Sequence, residues 1–318
     1  MSEFRRNILT AMNKTEPPIT KDYLTIVALE DGLTAKLSVN ACEYCVNGNG
    51  IWKTLSADIE TETINAGQTL SFRGNLIPNS TNGIGTFTVN RYFNLKGNCM
   101  SMLYGDDAKI IFSLAGKNYA FYKLFANNTM LVDTSELVLQ AITLEKDCYH
   151  QMFYNCVTLV IAPVLPATTL AYNCYREMFN KCTNLITAPE LLATKLATCC
   201  YYGMFMNCTN LAMAPELPAE VLESYCYQSM FQNCTNLIVA PCLNATTLAV
   251  FCYCEMFKGC CDLNYIKALF ITTPNSSYTN NWLEGVASNG IFVKSKAAAW
   301  DVVGNSGVPE GWTVISEY

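Results

Sequence analysis

Between Cys148 and Ser277 the chain repeats itself with a fixed period of 26 residues. Five copies begin at Cys148, Cys174, Cys200, Cys226 and Cys252, with no insertion or deletion between them. Each opens Cys-Tyr-x-x-Met-Phe-x-x-Cys-x-x-Leu, as from Cys174 to Leu185, and four of the five continue x-x-Ala-Pro-x-Leu, as in Ala188-Pro189-Glu190-Leu191. A fixed period of this size predicts a solenoid, in which each copy is one supersecondary unit that buries its apolar face against its neighbours.

On a helical wheel, the recurring Cys, Tyr, Met, Phe and Cys of the first nine positions share one face and the changing residues share the other. This predicts a short amphipathic helix in each copy. Leu185-Ile186-Thr187-Ala188 then reads as a short strand, ended by Pro189, which cannot donate to a ladder. Strands of neighbouring copies stack at about 5 Å and helices need more room, so the array is expected to curve with the helices outside. Asn184, Asn210 and Asn236 recur before the inward Leu and are expected to form a buried ladder that holds loop carbonyls. Asn207-Cys208-Thr209 and Asn233-Cys234-Thr235 also match the glycosylation sequon, a match that is incidental if these Asn residues serve the turn.

The flanks extend the pattern. Leu124 to Leu131 matches Met152 to Leu159, with Asn128 where Cys156 stands and two extra residues between Leu131 and Val138. Leu263 to Leu269 keeps the strand without Ala-Pro, and Trp282-Leu283 resembles a last degenerate Met-Phe turn. Ahead of the repeats, strand-like runs at Tyr23–Leu29, Leu33–Val39, Cys42–Val46, Ile51-Trp52, Thr61–Ile64, Thr69–Arg73 and Gly85–Val89 follow one another without helices. The Asn47-Gly48-Asn49-Gly50 run between two of them is a hairpin signal. The expected fold is α+β: an N-terminal arm at 1–20 with a short helix at Glu3–Asn13, a β-sandwich at 21–90, a junction at 91–118, a curved solenoid at 119–270, and a C-terminal cap at 271–318. Gly290–Val293 and Trp312–Ile315 are expected to be strands of that cap.

Seventeen cysteines suggest a disulfide scaffold, but ten of them are the first and ninth positions of the five copies. That distribution argues for buried free thiols, which pack as small hydrophobes. Equivalent positions on neighbouring helices are also too far apart to bridge.

Chemistry is sparse. The one histidine, His150, shares its position with Arg176, Tyr202, Gln228 and Cys254, which predicts an exposed slot rather than a general base. Cys42-Glu43-Tyr44-Cys45 runs into a turn, unlike a redox motif, and has no second pair for zinc. No P-loop, dinucleotide or calcium pattern is present. We identify no catalytic residue, cofactor site or metal site. The net charge of −6 argues against nucleic acid and anionic membranes, and no run of 18 apolar residues is present to span a bilayer. The N-terminus makes a poor secretory signal.

The repeats resemble the BspA-like leucine-rich repeats, surface proteins of gut Bacteroidetes. Met178-Phe179-x-x-Cys182-x-x-Leu185-x-x-Ala188-Pro189-x-Leu191 and its copies carry the likeness. Asn40–Tyr44, Ile64–Asn75 and Asn94–Ser101 look like the N-terminal segment of such proteins, and Asn281–Ala287 and Gly307–Val314 look like their ending. The resemblance implies binding and adhesion without enzyme activity. Relatives lacking a signal peptide look like genes of bacteriophages and prophages, where they would serve as tail-fibre or other virion surface proteins, and the N-terminus here points that way.

Repetition separates scaffold from surface: positions that change are free of the core. On the strand side these are Ile161, Thr187, Met213, Val239 and Tyr265, with Val164, Glu190, Glu216, Cys242 and Ala268 alongside. The first row, with Glu190 and Glu216, is the candidate binding surface. The expected partner is a protein or glycan on a cell surface, and the expected location is a virion or the outside of a cell. The alternative is a structural fibre or decoration subunit in which this face joins copies of the chain or other virion proteins.

Overall fold

The structure is a computed structural model and describes residues 23–317. The arm and its expected helix at Glu3–Asn13 fall outside the described residues. Regular structure is mostly sheet. Among the described residues helix is confined to α1 (Ser101–Tyr104) and one 3-10 turn at Gly105–Ile110.

The first part is a six-stranded sheet of order β4-β3-β5-β1-β7-β8. Its strands are β1 (Leu24–Ala28), β3 (Cys42–Val46), β4 (Lys53–Leu55), β5 (Thr69–Arg73), β7 (Phe93–Asn98) and β8 (Leu131–Val138). β2 (Ala35–Leu37) and β6 (Phe87–Val89) form a second, two-stranded sheet. The two sheets meet where Phe87 of β6 lies 4.8 Å from Phe72 of β5, edge to face. Asn47 and Gly48 both take left-handed φ (51° and 61°), as a turn of mirror-image type requires, and β3 pairs antiparallel with β4. The expected strand at Thr61–Ile64 shrinks to a single bridge, Leu33 to Ile64.

β7 and β8 are parallel and lead from the sheet into the repeats. The two extra residues seen in the sequence of the worn copy have a structural place. Pairing steps from Phe93↔Leu131 to Asn94↔Asp133 and then to Lys96↔Glu136, so β8 bulges out one residue at each step.

The expected helix of each copy is absent. Residues 148–156 form a run of tight turns, as do their counterparts in the other copies. In the first copy the amides of Cys148, His150, Met152, Tyr154 and Cys156 each donate to the carbonyl three residues back. The amides between them donate to the next copy: Tyr149 to Cys174, Gln151 to Arg176, Phe153 to Met178 and Asn155 to Asn180, at 2.8–3.0 Å. An α-helix would instead donate four residues back and keep every bond inside itself. Every fourth residue takes left-handed φ, as at Asp147, Gln151 and Asn155 (55°, 56° and 59°). The wheel failed because two inward and two outward residues in alternation have a period of four, and nine residues do not separate that from 3.6. With no helices to accommodate, the width difference that argued for curvature is gone.

In the first four of the five copies the strand is also reduced, from the four residues expected to isolated bridges, whereas the fifth keeps it as a four-residue strand. Asp133, Ile161, Thr187 and Met213 bridge in series, parallel, and Val239 bridges Tyr265. Regular strands return at the end, where β9 (Tyr265–Ala268), β10 (Ile291–Ser295) and β11 (Thr313–Glu317) form a parallel sheet. The last two match the strands expected near Gly290 and Trp312.

Inside, the constant residues form columns. Phe87, Phe125, Phe153, Phe179, Phe205, Phe231 and Phe257 stack with centroids 5.3–6.1 Å apart and planes within 12°. A second column runs Phe121, Tyr149, Tyr175, Tyr201, Tyr227, Tyr253, at 5.4–6.1 Å. Fully burying such a ring stabilises by about 2–3 kcal/mol before ordering costs. The ninth-position thiols are hydrogen-bond donors as well as fillers. Cys156, Cys182, Cys208, Cys234 and Cys260 donate to the carbonyls of Phe125, Phe153, Phe179, Phe205 and Phe231 respectively, at 3.0–3.2 Å. All seventeen cysteines are unpaired. Trp282 closes the far end: it is fully buried, its ring N–H donates to the Gly307 carbonyl at 2.9 Å, and its carbonyl accepts from Phe257 as a Met carbonyl does in earlier copies.

Candidate binding surface

The repeats present two surfaces, one on the bridge side and one on the turn side. The bridge side carries the row selected from the sequence. Ile161, Thr187 and Met213 are consecutive bridge partners, as are Val239 and Tyr265, so the row is a line of neighbours at ladder spacing. Ile161, Met213 and Val239 are 48%, 41% and 49% exposed, Thr187 and Tyr265 are half-buried, and Glu190 and Glu216 are exposed. Val164 is the most open apolar residue beside them, Cys242 is half-buried and Ala268 is buried.

The sequence reading missed Ile186 and Ile238, which are as exposed as their neighbours in the row. Strict alternation along a strand would have turned one of each pair inward. A single bridge does not impose alternation, so Ile186 and Thr187 both reach solvent. The result is a widened apolar strip with carboxylates beside it. β10 and β11 continue the same register, since Tyr265 pairs with Ile291 and Ile291 with Thr313.

The turn side differs from expectation in two respects. His150 is mostly covered rather than exposed. Its Nδ1 lies 3.0 Å from Oδ1 of the buried Asp147, and its ring lies 5.1 Å from that of Tyr122, one copy earlier. Neighbours in the row shield each other, so variability at this position did not signal exposure. Burial alone would raise the Asp147 pKa, but hydrogen bonds from His150 and Asn173 outweigh it and hold the carboxyl below its ordinary range.

Asn184, Asn210 and Asn236 are exposed, and the recurring bonds there are made by their backbone amides to Val157, Thr183 and Thr209. The side-chain amide ladder runs elsewhere: Asn155 donates to Asn127, Asn207 to Asn180 and Asn233 to Asn207, at 2.9–3.2 Å. Asn155, Asn207 and Asn233 also carry left-handed φ, which Asn tolerates better than most residues. Asn207 and Asn233 therefore serve the turn, which accounts for the sequon matches without a modification.

Cations lie over rings on this side. Lys146 sits between Tyr119 and Tyr172, at 5.7 and 5.5 Å, Arg176 lies 4.3 Å above Tyr202, and Lys181 lies 5.3 Å from Tyr154. These pairs join residues 26 or 27 apart, so they tie neighbouring copies together at the surface.

Titratable chemistry is muted elsewhere. Burial pushes the Cys42, Cys148 and Cys200 thiols up to about 12. Cys42 and Cys45 are an odd number of residues apart on β3 and so leave opposite faces of the strand, which suits neither a disulfide nor one shared ion. Among the described residues no group of three or more His, Cys, Asp or Glu side chains is placed to hold a metal ion. Among the described residues, too, no helix is long and apolar enough to cross a membrane. Comparison with protein-family models, with curated proteins and with solved structures gave no match.

Proposed function

We propose that this chain is a non-enzymatic binding protein of the BspA-like kind: an N-terminal β-sandwich followed by a leucine-rich-repeat solenoid, displayed on a virion or cell surface. The target, a protein or glycan on a cell, meets the bridge-side strip. One observation carries this reading: Ile161, Met213 and Val239 stay 41–49% exposed on a hydrogen-bonded scaffold with Ile186 and Ile238 beside them. Contiguous exposed apolar surface of this kind marks interaction sites more often than chance. Its backbone is tied to the neighbouring copies by hydrogen bonds, which favours binding, since little backbone freedom remains to be lost on contact.

Met213→Asp tests the proposal. The side chain is solvent-facing, so the variant is expected to melt with the parent, while binding to host cells falls at least tenfold in a pull-down titration. Retained binding with Asp at 213 and at 239 together counts against the strip. A trimer held by the strip, and broken by the same substitutions, supports the fibre-subunit reading instead.

A further inference from the structure

The parallel ladder through the copies ends on an open edge. β11 pairs with β10 on one side, and among the described residues no strand lies on the other. All five residues of β11 are exposed. Register places Ile266, Phe292 and Val314 on one face of the three strands. The first two are 0% exposed, whereas Val314 is 47% exposed. A row that is core in β9 and β10 is therefore uncovered in β11.

The backbone of β11 is free in a specific pattern. Thr313 donates to the Gly290 carbonyl, and the Glu317 carbonyl accepts from Lys296. Residues along a strand alternate the side to which both N–H and C=O point, so 313, 315 and 317 face β10. Val314 and Ser316 turn their N–H and C=O groups to the open edge.

We propose that this edge is a self-association site, occupied by β11 of a second copy running antiparallel about a two-fold axis at Ile315. That register sets Val314 opposite Ser316 of the second copy, and the reverse. These are the two residues with free backbone groups, and a hydrogen-bonded antiparallel pair exchanges both bonds. Ile315 meets its own counterpart in the closer, non-hydrogen-bonded position. Glu317, the only charge on the strand, falls opposite Thr313 rather than its like. The strand carries no Pro, no Lys and no bulge, the usual protections of an exposed edge. The opposite edge of the larger sheet, β4, is three residues long, and its Lys53 is paired with Glu62. A two-fold contact of this kind closes on itself and stops at a dimer. It uses the β11 backbone and Ile315 rather than Ile161, Met213 and Val239, so either can fail without the other.

Sedimentation or light scattering over a concentration series tests the proposal on the full chain. The expected result is a shift from one-chain to two-chain mass. Ser316→Pro removes an edge amide without touching a bond to β10, and Ile315→Lys sets two like charges face to face. Each is expected to melt like the parent and remain at one-chain mass. Hydrogen exchange at the Val314 and Ser316 amides is expected to slow as concentration rises. A parent at one-chain mass throughout overturns the proposal, as does an undiminished dimer in Ile315→Lys. Protection of both amides in the one-chain form also overturns it, by assigning the edge to another segment of the same chain.

Discussion

Asn128 donates its side-chain amide to the Phe87 carbonyl, 2.7 Å away and 41 residues earlier in the chain. The same amide reaches the Phe125 carbonyl at 3.0 Å, and its oxygen accepts from the Val89 amide at 3.1 Å. Every later copy has Cys at this position, donating to one carbonyl of the copy before. The worn copy ahead of the five has a β-strand for its neighbour instead, and β6 presents both an acceptor and a donor. Asn satisfies both, whereas a thiol satisfies one. The substitution that looked like wear in the repeat is the joint between the two parts of the chain.

Asn128→Ala is accordingly expected to cost about 2–4 kcal/mol, since it strands buried groups on β6. Asn128→Cys, which restores the repeat consensus, is expected to destabilise as well. Urea unfolding of the intact chain measures both, and a stabilised Asn128→Cys would contradict the assignment.

Native protein is expected to react with a thiol reagent first at Cys261, the exposed cysteine, and more slowly at the half-buried Cys242. The buried thiols should stay silent until unfolding, because burial disfavours the reactive thiolate, most strongly along the repeat columns. In denaturant without reductant all seventeen should titrate, and fewer than roughly ten would rule out the free-thiol core.

Acid should weaken the fold partly through Asp147. Its folded pKa lies below the unfolded value of about 3.9, so its contribution is complete above that value and is lost as pH falls through the folded one. The stability of Asp147→Asn is expected to depend less steeply on pH below about 5, as followed by urea midpoints. Equal slopes would mean that the His150 and Asn173 contacts add nothing.

The left-handed positions make a further prediction. Lys181 takes φ 65° where three other copies of the turn have Asn155, Asn207 and Asn233. Lys181→Asn is expected to stabilise by up to about 1 kcal/mol through backbone relief alone. Gly259→Ala should do the opposite by about 1–2 kcal/mol, because its φ is 77° and a Cβ there would meet Asn233 Oδ1 at 2.3 Å. Differential scanning calorimetry separates the two signs. Far-UV circular dichroism should lack the helical double minimum.

The period and most strand positions were legible because they rest on identities and alternation. Cys-Tyr-x-x-Met-Phe-x-x-Cys marked the core correctly, as every one of those residues in the five copies is buried. It did not reveal the backbone, since a helix and a chain of four-residue turns bury the same pairs over two turns. The signal that distinguishes them was present in the outward positions. Asn155, Asn207, Asn233 and Gly259 share the eighth position of their copies, Gly203 stands four residues before Asn207, and these residue types go where φ is positive. The strip was found from variation alone, but its width was not, because alternation was assumed where a single bridge, such as that of Thr187, holds the whole stretch. The open edge of β11 had no counterpart in the sequence: exposure on both faces of a strand depends on what lies beyond it in space.

The division of labour among the amides has an evolutionary consequence. Cohesion between copies runs through backbone bonds, thiols and rings that are the same at every junction. A deletion of 26 residues between equivalent points, such as Cys174 to Cys199, would bring Asn173 against Cys200 with every turn and column still in phase. Recombination between copies of the gene segment would thus yield shorter or longer chains that fold. Reach and footprint can drift by whole increments, while Asn128 at one end and Trp282 at the other stay where they are.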